Sequence, residues 1–253
     1  MKKNIIIFTI TALLITGCAT SEWSKGKADV HLNLATAYMT SGHYALALRE
    51  LLEAEKFTPD DPKVHYLLGM TYYSKGLRKE AMDELNTALA LKPDYSDVYS
   101  FVGTMHINDS QWDKAIESFQ KALSNPLYQT PSVALYNMGR AYYGKGEYLS
   151  AINKYKEAAA KDPYSVPAYL IEQYTGMAYY ALGDISNAVN HFKNSLLLAP
   201  SLYEAYYWLG QSYLKLNKRK EAISAFQTYL KASPNSNLAE KARKSLRNMN
   251  VQQ

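Results

Sequence analysis

Cysteine is nearly absent: the 253 residues hold one, Cys18. A single thiol allows no internal disulfide and no Cys-x-x-Cys redox or metal motif. Long apolar runs are missing as well. The stretch IIIFTITALLI, Ile5 to Ile15, is eleven residues, about 16 Å of helix against a hydrocarbon core of roughly 30 Å, too short for a permanent transmembrane span. Charge of one sign is also scarce. There are 28 basic and 23 acidic residues, and without Lys2 and Lys3 the balance is 26 to 23, too mild for nucleic-acid binding as the main task. Phe and Trp number only 6 and 3 beside 23 Tyr, a ring with an apolar body and a polar tip that suits a binding surface as well as a core. No phosphate-binding glycine loop, His-Glu-x-x-His or Gly-x-Ser-x-Gly occurs. The histidines at 31, 43, 65, 106 and 191 are scattered. Nothing points to an enzyme, a cofactor, a metal or a small-molecule substrate.

What is present begins at the amino terminus. Met1-Lys2-Lys3-Asn4 is a basic start, the apolar run follows, and Ile15-Thr16-Gly17-Cys18 closes it. Basic start plus short apolar run reads as an export signal. The last four residues resemble the lipobox of bacterial lipoproteins, a branched apolar residue, two small ones and cysteine. That resemblance implies cleavage after Gly17 and acylation of Cys18, with several acyl chains holding the protein to a bilayer where one would not. With Ala19 rather than Asp next, the family's sorting rule implies the outer membrane, lipid-anchored at its periplasmic face. An ordinary secretory signal with an incidental cysteine is the other reading of these residues.

From residue 28 one pattern recurs. A small residue appears as Ala35, Gly69, Gly103, Gly139, Gly176 and Gly210, at spacings of 34, 34, 36, 37 and 34. Three residues on stands a ring (Tyr38, Tyr72, His106, Tyr142, Tyr179, Tyr213), and twelve on an alanine (Ala47, Ala81, Ala115, Ala151, Ala188, Ala222). Seven on comes a turn residue: Gly42, Gly76, Gly146, Gly183 and Asn217 tolerate the left-handed conformation, and Ser110 departs from the type. Twenty-four on comes Pro59, Pro93, Pro163, Pro200 or Pro234, with Pro126 one residue early in the third copy. Each unit reads as two helices crossing closely where the small residue meets the alanine, with proline ending the second. The pattern resembles the tetratricopeptide repeat. It implies an all-α, right-handed superhelical solenoid of six repeats over 28–61, 62–95, 96–131, 132–168, 169–202 and 203–234. Residues 1–17 would be the signal, 18–27 the lipidated cysteine and a polar tether, and 235–253 a capping helix and tail with Leu238, Ala242, Leu246 and Met249 on one stripe.

In the tetratricopeptide family the first helix of each unit lines a concave face. Positions three before, one after and four after the small residue then give Leu32, Thr36 and Met39, followed by Tyr66, Met70 and Tyr73, and by Ser100, Thr104 and Ile107. The later copies give Tyr136, Arg140 and Tyr143, then Gln173, Met177 and Tyr180, then Tyr207, Gln211 and Leu214. The expected partner-binding residues are Tyr66, Met70, Tyr73, Tyr136, Arg140, Tyr143, Met177, Tyr180 and Tyr207. An adaptable tyrosine- and methionine-rich face suits an amphipathic or extended apolar segment of another protein. The competing reading is that these rings only pad the next repeat. A basic set, KLNKRKE at 215–221 with Lys231, Lys241, Arg243, Lys244 and Arg247, reads as a solvated turn and cap, the other reading being contact with anionic lipid heads or an acidic partner.

The third junction, SNPLYQTPSVALYNMGRAYYGKG, has an early proline, two extra residues and Tyr128. Asn125-Pro126-Leu127-Tyr128 and Asn137-Met138-Gly139 resemble motifs of the outer-membrane lipoproteins of type IV pilus biogenesis, the pilotins, whose lipobox and six repeats this layout matches. The resemblance implies a secretin subunit as partner, docked on the repeats while the lipid holds the membrane. The alternative is an envelope-assembly scaffold, either a peptidoglycan synthase activator or an outer-membrane protein assembly factor.

Overall fold

The computed structural model describes residues 22–250, so Cys18, the signal and the last three residues lie outside the described residues. Among the described residues there are thirteen helices and no strand. The first, α1, covers 22–40. The others are α2 (Tyr44–Phe57), α3 (Pro62–Ser74), α4 (Arg78–Leu91), α5 (Ser96–Asn108), α6 (Trp112–Leu123), α7 (Pro131–Lys145), α8 (Tyr148–Lys161), α9 (Ala168–Leu182), α10 (Ile185–Leu198), α11 (Tyr203–Lys215), α12 (Arg219–Ala232) and α13 (Ala239–Asn250). Residues 22–27, expected in the tether, are instead helical and continue into α1. Trp23 meets Phe57 edge-on at 6.0 Å, which gives this extra helical turn something to pack on. No described helix is long and apolar enough to cross a membrane.

The helices pair as the repeat demands, and the turn between the two helices of each pair is built the same way six times. The amide of the residue eight past the small position donates to the carbonyl of the ring residue: His43 to Tyr38 (2.8 Å), Leu77 to Tyr72, Gln111 to His106, Glu147 to Tyr142, Asp184 to Tyr179 and Lys218 to Tyr213. This bond closes a helix end only if the intervening residue turns left-handed. The glycines comply, and so do Asn217 at φ 57° and Ser110 at φ 58°. At the other junctions the residue before each proline is forced out of helix by the ring that follows. Thr58, Lys92, Asp162, Ala199 and Ser233 have φ between −134° and −156°. With Pro126 displaced, Ser124 stays helical at φ −69°, and the third junction follows a path of its own.

The small residue admits more than the alanine opposite. A Cβ added to Gly139 would stand 2.5 Å from Tyr155, and Gly69, Gly103, Gly176 and Gly210 meet Leu85, Phe119, Phe192 and Phe226 in the same way. All five of these side chains, and Leu51 at the matching place in the first repeat, are fully buried. Each sits sixteen residues after its small residue, four after the alanine and so one turn along the same helix face. A ring so placed contributes on the order of 2 kcal/mol by leaving water.

Packing divides the chain into two compact units, one ending at Phe101 and one beginning at Val102. In the first, Ala28, Leu32, Ala35, Leu51, Ala54, Val64 and Leu68 form a continuous core. In the second, α6 to α13 pack each on the next, and Ala242 and Met249 of α13 join the cluster around Phe192, Tyr207 and Phe226.

Candidate functional site

The expected binding residues lie on the first helices of the pairs. Within the first unit, Tyr66, Met70 and Tyr73 are half-buried. Tyr66 and Tyr73 both close on Phe101, at 6.3 and 5.6 Å between ring centroids and nearly perpendicular. Tyr66 also meets Tyr95 at 5.4 Å, whose hydroxyl is pushed up to about 12 by burial and by Asp97 and Asp61. The Arg78 guanidinium lies 5.8 Å from the Tyr73 ring.

Within the second unit, Tyr136 and Tyr207 are buried rather than presented. Tyr136 packs on Tyr155 and Tyr174, and Tyr207 on Trp208, Phe226 and Tyr229. Burial raises both hydroxyls, and neighbouring tyrosines add to it. Arg140, Tyr143, Met177 and Tyr180 stay half-buried. Arg140 donates to Asn137 Oδ1 at 3.0 Å and stands 5.9 Å from the Tyr174 ring. Tyr143 meets Tyr148 at 5.5 Å, and Tyr180 meets Trp208 at 5.5 Å.

Three rings outside the expected set complete these contacts: Phe101, Tyr174 and Trp208. Each stands two residues before the small residue of its own copy and packs on rings of the copy before it. The position was open to discovery by register, but it is aromatic in only half the copies, with Asn33, Leu67 and Asn137 in the others. Within each unit, rings are thus held edge-on by a ring of the following repeat. Their inner edges serve packing, and their remaining surface is half-open and apolar, with the Arg78 guanidinium beside Tyr73 in the first unit and that of Arg140 beside Tyr174 in the second. Fixed rings with a polar tip recognise at little conformational cost.

Within the second unit a cavity of about 730 Å³ lies beside the irregular junction and is lined by Leu123, Pro126, Tyr128, Leu135, Met138 and Lys161 among others.

Glu55, His65 and Glu84 bring potential ligand atoms within 4.8 Å of one another. His65 Nδ1, however, lies 2.7 Å from Glu84 Oε2 and its Nε2 lies 2.7 Å from the Pro59 carbonyl. A zinc ion between nitrogen and carboxylate would hold them roughly 3.3 Å apart. The spacing is that of a hydrogen-bonded ion pair.

Models of the tetratricopeptide repeat match residues 62–95, 132–165 and 175–237, and a further model of the same repeat matches 35–76. The chain belongs to the tetratricopeptide-repeat family. No curated protein matches its sequence. Among solved structures, this tetratricopeptide chain is similar to PilW, described as a widely conserved type IV pilus biogenesis factor, at TM-score 0.77 and 19% identity over 85% of this chain and 97% of that one. It is similar to PilF of Pseudomonas aeruginosa at TM-score 0.77 and 15% identity, over 88% and 99% of the two chains. YrrB, described as having an unusual peptide-binding site, aligns at TM-score 0.61 and 18% identity over 77% and 97%. At these identities the likeness establishes the fold, an all-α solenoid of protein-interaction repeats.

Proposed function

We propose that this chain is a non-enzymatic, lipid-anchored protein-binding component of type IV pilus biogenesis, a pilotin that assists the secretin in reaching the outer membrane and oligomerising there. The observation that carries the reading is the match of layout: repeats and a C-terminal helix that align with nearly the whole of PilW and of PilF, preceded in the sequence by residues that resemble a lipobox at Cys18. The half-open rings and methionines of the first helices would hold an apolar segment of a secretin subunit, with Arg140 beside an acidic or carbonyl group of that segment. Tyr136 and Tyr207 act beneath them, fixing Tyr174 and Trp208. The lipid on Cys18 would carry the complex to the periplasmic face of the outer membrane. No covalent step is involved.

The test is affinity capture of the lipidated protein from mild-detergent membrane extracts, together with the secretin multimer level in a deletion strain. A secretin recovered by the native chain but lost with the Tyr73→Ala/Tyr143→Ala double variant, and multimers depleted by deletion, are the expected results. Unchanged multimers in the outer membrane would overturn the reading. Recovery of a cell-wall synthase or a barrel-assembly component instead would give the function to envelope assembly.

A further inference from the structure

The three most exposed large apolar side chains of the described residues are Tyr164 at 93%, Leu197 at 82% and Leu127 at 78%. All three belong to the second unit, and all three sit where the second helix of one repeat gives way to the first helix of the next. Leu127 is in the α6–α7 connection, Tyr164 in the α8–α9 connection and Leu197 in the last turn of α10. Neighbouring helices here pack in sequence order through short connections, which makes them antiparallel. These junctions therefore share one edge of the unit, and the tight turns within repeats share the other.

The exposure of two of these side chains is built in. Asn125 Oδ1 accepts from the amide of Leu127 at 2.9 Å, and Asp162 Oδ1 accepts from the amide of Tyr164 at 2.9 Å. In each case a proline, Pro126 or Pro163, occupies the position between. The same Asx-Pro turn thus occurs twice and holds an apolar side chain outward both times. Gln129 Nε2 secures the first by donating to the Leu127 carbonyl at 2.9 Å. The Ser165 hydroxyl secures the second by donating to Asp162, so that carboxylate is occupied within its own turn. Lys121, paired with Glu117 at 2.8 Å, Lys161 and Lys231 bring positive charge to this edge from the last turns of α6, α8 and α12.

We propose that this edge of the second unit rests in the headgroup layer of a bilayer containing anionic lipid. Leu127, Tyr164 and Leu197 enter the interface, and Lys121 and Lys161 face lipid phosphates. Single apolar side chains on fixed turns, one of them tyrosine and with lysines between, match the amphipathic boundary of a membrane. A protein partner would instead call for a contiguous apolar patch with a desolvated centre. The inference rests on the reading of Cys18 as a lipid anchor only for bringing the chain to the bilayer.

The test reconstitutes the full lipidated chain in phosphatidylethanolamine–phosphatidylglycerol vesicles with a nitroxide at Leu127→Cys, Tyr164→Cys or Leu197→Cys. Leu149→Cys is the control, 62% exposed at the start of α8 near the other edge. Relaxation by oxygen relative to a water-soluble nickel chelate reports depth. The expected ratio at the three junction sites is several-fold above that at the control. Four equally aqueous labels on chains that float with the vesicles would overturn the edge and leave the anchor standing. Label uptake by the native chain at Cys18, with no flotation, would overturn the anchor. The unlipidated labelled chain, mixed with the same vesicles, then tests the edge by itself: burial of the three labels supports it and aqueous labels overturn it. Labels aqueous in pure lipid but shielded in native membrane fragments would assign the edge to a protein and overturn the proposal.

Discussion

Buried His65 and half-buried Glu84 pair at 2.7 Å, and the imidazole donates from both nitrogens, the second going to the Pro59 carbonyl. A carbonyl only accepts, so with Glu84 ionised the ring must carry both protons. Burial pulls the His65 pKa down, but Glu84, the Pro59 carbonyl and the nearby charge of Glu55 together outweigh it and hold the group above its ordinary value of 6.5. A group whose folded pKa is raised adds stability that is complete below its unfolded value and fades as pH rises through the folded one. The native chain is therefore expected to lose its advantage over His65→Gln as pH rises from below 6.5 through the raised pKa of the folded chain, by roughly 1.5–3 kcal/mol for a charge-assisted bond of this kind. Urea titrations at both ends of that range measure it, and a difference that stays constant or grows would contradict the assignment.

The same pair of positions, four before and fifteen after the small residue, bonds in two further repeats. His31 meets Glu50 at 2.8 Å, and in the fifth repeat the order is reversed, with Glu172 on the first helix meeting His191 on the second at 2.8 Å. Geometry that accepts both orders in nature should accept an engineered exchange. His31→Glu alone sets two carboxylates together and Glu50→His alone two imidazoles, each costing about 1–2 kcal/mol, whereas the double exchange recovers on the order of 1 kcal/mol of coupling. A double-mutant cycle by chemical denaturation decides it, and purely additive effects would refute the equivalence of the two sites.

Gly139 has no room for a methyl group because Tyr155 fills the space 2.5 Å from where its Cβ would be. Gly139→Ala is expected to destabilise by about 2 kcal/mol through overpacking. The first repeat shows the remedy: there Ala35 crosses Leu51, both fully buried. Adding Tyr155→Leu to Gly139→Ala should therefore cost less than the sum of the two single changes. Thermal unfolding of the four proteins tests it, and a double variant as weak as that sum would show that the clash is not with this ring.

Tyr155 buries its hydroxyl with no hydrogen-bond partner among the described residues, while Phe119, Phe192 and Phe226 occupy the matching place in other repeats. Tyr155→Phe removes an unsatisfied polar atom without leaving a cavity and is expected to stabilise by about 1 kcal/mol. A fall in unfolding temperature would mean the hydroxyl has a role this packing does not explain.

The repeat was legible because its marks are steric and recur in register: a small residue, an alanine and a turn position six times, and a proline five times. What escaped were positions whose chemistry varies while their geometry does not. The side chain under the glycine is Leu, Phe or Tyr by turns, so identity hides it although burial is complete every time. The histidine–glutamate pair changes order, which defeats any search for a fixed residue. The ring two before the small residue of the next copy, Tyr174, explains why Tyr136, expected on the open face, is in fact packed, while Tyr207 is packed by Phe226 and Tyr229 of its own repeat. Periodicity gives the face of a helix but not the side chain the next repeat lays over it.

Ser110 departs in type from the other turn residues, yet its backbone is not exceptional. It adopts φ 58° and donates its amide to the Ile107 carbonyl at 2.9 Å, while Gln111 donates to His106 as in the other five turns. The turn is imposed by the helix crossing, and the residue complies at a conformational penalty of roughly 1–2 kcal/mol for an L-side chain in this region. Glycine carries no such penalty but gives the unfolded chain more freedom, which offsets part of the gain. Ser110→Gly is therefore expected to raise stability by about 0.5–1 kcal/mol, and Ser110→Asn, which copies the residue type of Asn217, by less. Denaturant midpoints of the three proteins give the order, and a destabilised glycine variant would show that the serine side chain supports the turn beyond what the backbone explains.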